Sequence, residues 1–193
     1  VQCLVGSEMC IRDRLQIIKK IALGHPEIKF LYKFEENLTH VYKKENFNNE
    51  GFKHRILEVF QDDFFSNSLL VENKIQSNLG DIKLRGFISI PSYNKVNQSY
   101  QFLFVNGRPV QDRGLSAVIR LSYRDNLPRG RHPLYCLMLD LSNDQIDVNV
   151  HPTKLEVKFQ NYEFLKSFVI NSITKALQIK NNNKISKTFN ILE

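Results

Sequence analysis

Three cysteines, at positions 3, 10 and 136, are too few and too scattered for structural chemistry. Their number is odd and they show no metal-ligand spacing. Neither a disulfide framework nor a zinc site is indicated, and a reducing, cytoplasmic setting fits. No apolar run approaches the roughly 18 residues of a membrane-spanning helix. The first residues lack the basic start and long apolar segment of a secretory signal. There is no G-x-x-x-x-G-K-S/T loop, no G-x-G-x-x-G, no H-E-x-x-H, no paired C-x-x-C, and no serine in a nucleophile elbow. The five histidines, at 25, 40, 54, 132 and 151, are scattered. No complete catalytic centre can be assembled from these parts. The chain by itself is expected to catalyse nothing and to hold no metal.

What is present is an ordinary globular composition with a basic excess. The 193 residues are 42% apolar and 24% charged, enough for one domain with a sizeable core. A formal net charge of +7 admits a polyanionic partner, although a Lys-, Asn- and Ile-rich composition accounts for part of it.

Hydrophobic spacing gives the elements. Leu15, Ile18, Ile21 and Ala22 predict a helix ending near Gly24. Ile28, Phe30, Tyr32 and Phe34 alternate as a half-buried strand, which 40–43 can join through a turn. Ile56, Leu57, Phe60 and Phe64 predict a second helix over 52–64. Strands follow at 68–72, 82–90 and 100–105, then a helix over 114–126. Further strands fall at 134–141, 147–150 and 155–159, and a last helix spans roughly 163–178. Residues 180–193, polar and Asn-rich, begin as a flexible linker would. The mixture of helices and hairpins is α+β, a mixed α/β two-layer arrangement.

Six of the ten arginines lie between Arg108 and Arg131. At about 100° per residue, Arg113, Arg120 and Arg124 fall within roughly 40° of one another. Leu115, Val118 and Ile119 point the other way. The predicted helix has an apolar back and a guanidinium front. Guanidinium matches phosphate geometry and stays charged, so such a row could follow a nucleic-acid backbone without reading bases. The competing reading is an exposed helix whose arginines pair with nearby acids, with Arg120 partly tied into the fold. Arg108 follows the sharp Asn106-Gly107 turn signal, either as an ordinary turn arginine or as a further phosphate contact. Downstream, Val148 and Val150 alternate up to His151, and Pro152 forces a turn. Lys154 then opens a second alternating run. Pattern alone makes it a solvated loop lysine.

At Phe104-Val-Asn-Gly-Arg108, the arginine helix, Leu127-Pro-Arg-Gly-Arg-His-Pro133 and Asp147-Val-Asn-Val-His-Pro-Thr-Lys154, the chain resembles the MutL family of DNA mismatch-repair proteins. The motifs are specific, and the likeness extends more weakly over about 15–180. It implies that 15–179 form the family's transducer domain, a left-handed βαβ-containing module also found in the ATPase component of DNA gyrase and in a small-subunit ribosomal protein. It implies a DNA-binding role for Arg113, with Arg108 close by. It also reverses the reading of Lys154, which matches the lysine that reaches the γ-phosphate of ATP.

ATP and magnesium are expected to be held mainly by an N-terminal ATPase domain outside this chain. Expected partners are DNA, that ATPase domain, a second copy in a homodimer, a mismatch-recognition protein, and a downstream nuclease or helicase. Residues 1–14 match nothing in the family, and SEMCIRDR resembles translated adapter sequence, so a non-native leader is expected there. Two rival readings are a transducer from another ATPase of the same superfamily and a translation-associated RNA-binding module of similar fold. The DVNVHPTK segment argues against the first.

Overall fold

The computed structural model of the protein describes residues 4–34, 38–46, 48–60, 62–76, 80–142, 146–147 and 158–189. It divides into two compact units, 1–66 and 67–193.

In the first unit, helix α1 (Leu4–Gly24) is followed by strands β1 (Phe30–Phe34) and β2 (Leu38–Tyr42), then helices α2 (Asn49–Phe60) and α3 (Asp62–Ser66). The strands pair antiparallel, with Phe30 opposite Tyr42 and Leu31 opposite Val41, as the alternation predicts. Two helix expectations need correction. Helix α1 begins at Leu4, not Leu15, because extending a helix backward adds one hydrogen bond per residue and no proline intervenes. The helix expected over 52–64 starts earlier because Asn48 caps it; its described residues form α2 to Phe60 and α3 from Asp62. The Asn48 Oδ1 accepts from Gly51 N at 2.8 Å.

Arg55 on α2 organises this unit. Its side chain is fully buried. Nη1 donates to the carbonyls of Ala22 (2.6 Å) and His25 (3.3 Å), and Nη2 to those of Pro26 (3.0 Å), Ile28 (2.9 Å) and Lys43. Nε lies 3.3 Å from a Glu58 carboxylate oxygen. The rings of Phe30 and Tyr42 flank the guanidinium, at 5.6 and 5.8 Å. Burial pulls its pKa down, and Glu58, then Glu45 and Glu27, pull it back up. One side chain thus closes the carbonyls where α1 ends and ties them to the strand after it.

The second unit is built on alternation. Strand β4 (Ile82–Ser89) buries Ile82, Leu84, Gly86 and Ile88 in turn. It lies between β3 (Ser68–Ile75) and β9 (Tyr135–Leu141). Beyond β9 come β6 (Gln101–Val105) and β7 (Arg108–Val110), giving the order β3-β4-β9-β6-β7. All neighbours are antiparallel except β6 and β9, which run parallel, with Phe102 opposite Cys136. Short strands β5 (Asn94–Lys95) and β8 (His132–Pro133) pair apart from this sheet.

Helix α4 (Arg113–Ser122) connects the two parallel strands. It packs beside α5 (Tyr162–Phe189) on one sheet face. Leu115, Val118 and Ile119 meet Phe168, Val169 and Ile173 in one apolar cluster with Leu84, Leu103, Leu137 and Leu139. Each such buried side chain contributes about 1.5–3 kcal/mol. The class is α+β, as expected. Helix α5 runs on to Phe189, through the stretch whose composition suggests a linker. No helix among the described residues is long and apolar enough to cross a membrane.

Gly86, in the middle of β4, has φ +140°. A Cβ placed there would lie 2.1 Å from the Cys136 carbonyl oxygen and 3.0 Å from the Leu137 Cα. The two strands approach this closely only because a side chain is missing.

Candidate nucleic-acid interface

The cationic region begins at the β6–β7 hairpin. Asn106 and Gly107 have φ of 48° and 76°, both positive, which is the type I′ geometry that the Asn-Gly pair favours. The Asn106 carboxamide is locked to the end of β9: Nδ2 donates to the Leu141 carbonyl at 2.9 Å, and Leu141 N donates back to Oδ1 at 2.8 Å. Arg108, the first residue of β7, is exposed on this rigid support. Its side chain has no hydrogen bond or ion pair among the described residues.

Asp112 is the N-cap of α4, and its Oδ1 accepts from Leu115 N at 2.6 Å. Arg113 follows in the first turn, exposed and likewise unpaired among the described residues. The back of the helix buries Leu115, Val118 and Ile119, so its rotation is fixed and Arg113 must face outward.

The helix does not run to Asn126 as its spacing suggests. Tyr123 is buried and donates its hydroxyl to the Ser89 carbonyl at 2.7 Å, which draws the chain into the core. Burial pushes that phenol well above its usual pKa. Arg124 then takes φ +48° and opens a short 3-10 turn, Arg124–Asn126. Arg124 is exposed, but it has left the helical row of Arg113 and Arg120.

Arg120 stays on the row and is half-buried. Its Nη1 donates to the Arg131 carbonyl (2.8 Å) and to His132 Nδ1 (3.3 Å). The tie to the fold is therefore present. An arginine only donates, so the His132 Nδ1 must carry a lone pair and Nε2 the proton. Burial, then the Arg120 charge, lower the His132 pKa. The folded state thus takes up the second ring proton, at Nδ1, less readily than the unfolded chain. The benefit of the pair is complete above the unfolded value of about 6.5 and fades as pH falls through it. Thermal melts at pH 8 and pH 5 should show a smaller acid-side loss in His132→Gln than in the unaltered chain.

Between α4 and the start of β6 lies a cleft of about 700 Å³. Arg113, Ser116, Ala117 and Arg120 line it from the helix. Gln98, Gln101 and His132 line it from β6, the loop before it and β8. Tyr135 is buried at its base and donates to Ser116 Oγ at 3.4 Å, its own pKa pushed up to about 12 by burial. Sequence reasoning missed Gln98, Gln101, Ser116 and His132, which come from separate segments and carry no motif.

Lys154 and His151 lie outside the described residues. The strands flanking them, β10 (Ile146–Asp147) and β11 (Lys158–Phe159), pair antiparallel as the alternation leads one to expect.

Residues 56–178 match the family model described as DNA mismatch repair protein, C-terminal domain. Over 167 residues the chain is 38% identical to the DNA mismatch repair protein MutL of Rickettsia felis and 39% identical to that of Rickettsia canadensis. The chain belongs to the MutL family of DNA mismatch-repair proteins. The two MutL matches cover 86% of this chain and 27% of each relative, so it spans about a quarter of their length. The crystal structure of the N-terminal domain of a DNA repair protein superposes with a TM-score of 0.70 at 20% identity, covering 91% of this chain and 55% of that one. The transducer-type fold expected from the MutL resemblance is therefore the fold found.

Proposed function

We propose that this chain is the transducer module of an ATP-dependent MutL and lays the DNA backbone along its arginine face. The observation that carries the reading is Arg113: exposed, unpaired among the described residues, and held at the head of a helix whose other side is buried. Arg108 and Arg124 add exposed cations on either side. Arg120 serves mainly to brace the loop that carries Arg129 and Arg131. Such contacts position a duplex and read no sequence.

In the intact protein Lys154 would supply a point charge to the γ-phosphate of ATP, with magnesium and most of the nucleotide held by the protein's own ATPase domain. The DVNVHPTK resemblance supports this role. By itself the module turns over no ATP. Homodimerisation, a mismatch-recognition protein, a downstream nuclease or helicase, and a cytoplasmic location complete the reading.

Duplex binding measured against salt tests it. Arg113→Glu should weaken binding by about tenfold or more near 100 mM salt and flatten the log K against log salt slope by about one. Unchanged affinity and slope would remove the DNA role of this helix.

A further inference from the structure

A duplex backbone passing over Arg113 would leave the space behind it unused. That space, about 700 Å³, lies within the roughly 300–1,000 Å³ of sites that enclose small ligands. A stacked, paired base cannot turn into it, but an unpaired nucleotide can splay its base outward.

The lining suits such a base. Gln98, Gln101, His132 and Ser116 offer neutral donors and acceptors, and Arg113 and Arg120 stand beside them. Gln101 is already oriented, because its Nε2 donates to the Pro133 carbonyl at 2.9 Å. Among the described residues no donor takes its Oε1. Carboxamides match the donor–acceptor pairs on base edges. A bare phosphate would engage the arginines and leave this neutral wall idle. We infer that the cleft between α4 and β6 receives the base of an unpaired DNA nucleotide while Arg113 holds its phosphate. The inference rests on the DNA-backbone reading above and adds a preference for unpaired nucleotides to it.

The test is a ratio of affinities of the full chain for two duplexes of one sequence, one fully paired and one with a single extrahelical base. The bulged duplex should bind about tenfold tighter. Ala117→Leu places bulk in the cleft at an exposed helical position where leucine is well tolerated. It should bring the ratio to about one. A ratio near one in the unaltered chain, or one that survives in folded Ala117→Leu, overturns the inference. If Ala117→Leu fails to fold, Gln98→Ala decides, with loss of most of the ratio expected and persistence counting against. Arg113→Glu should weaken both duplexes together. If it does so while the ratio is already one, the backbone reading stands and only the cleft assignment falls. Tighter binding of a bulged RNA of the same sequence would overturn the assignment to DNA.

Discussion

Replacing Arg55 with leucine should unfold, or nearly unfold, the 1–66 unit. The change removes a charge from a fully buried site, which taken alone would help. It also strands the buried carbonyl of Ala22 and the part-buried carbonyls of Ile28 and Lys43, and takes one of two donors from Pro26, which keeps Glu45 N at 2.9 Å. Unsatisfied buried acceptors cost about 1–3 kcal/mol apiece, and breaking a buried charged network typically costs about 3–5 kcal/mol in all. Against a total stability of about 5–15 kcal/mol for a domain, the loss is decisive. Arg55→Lys separates charge from geometry. An ammonium keeps the charge but has three donors at one point and no planar fork, so it should recover only a minor part. Amide exchange over residues 18–60 and the urea midpoint read the effect. A lysine variant as stable as the parent would show that charge, not the fork, holds the site.

Gly86→Ala is the second large effect, expected to cost more than about 3 kcal/mol. Two terms add. The backbone sits at φ +140°, where a side chain is strained by about 1–3 kcal/mol. The new methyl would also meet main-chain atoms of Cys136 and Leu137. Those atoms belong to a strand hydrogen-bonded on both sides, so they cannot yield without opening the ladder. Gly107→Ala is the control. It too has positive φ, at 76°, but nothing lies within 4 Å of an added Cβ. It should cost only about 1–2 kcal/mol. Equal losses at the two positions would refute the packing argument.

Local signals in the sequence carry much of the fold. Strands that alternate, such as 82–89, and the apolar back of α4 lie close to where their spacing predicts. The Asn106-Gly107 pair announces a turn, though not that it closes a hairpin. What escapes is whatever tertiary contact decides. Helix α4 stops at Ser122 because the Tyr123 hydroxyl finds a carbonyl 34 residues earlier in the chain. The parallel pairing of β6 with β9 joins segments that no local pattern links. Arg55 leaves no mark because its acceptors are main-chain carbonyls, which every residue has. Gly86 does leave one, since a glycine inside an alternating strand is a sign of close backbone approach. Of the site, the exposed arginines are legible and the cleft beside them is not, because its polar wall is assembled from residues that only the folded chain brings together.

Strand β9 has a mechanical consequence. Its first residue, Tyr135, supports the cleft, and its last, Leu141, is clasped by Asn106 just before the chain departs toward Lys154. Seven residues of strand put six rises, about 20 Å at roughly 3.4 Å each, between them. Flanked by β4 and β6, this rod can neither bend nor stretch much. Movement imposed at its far end would reach the cleft as a shift of the whole sheet, in the manner of a strut carrying load.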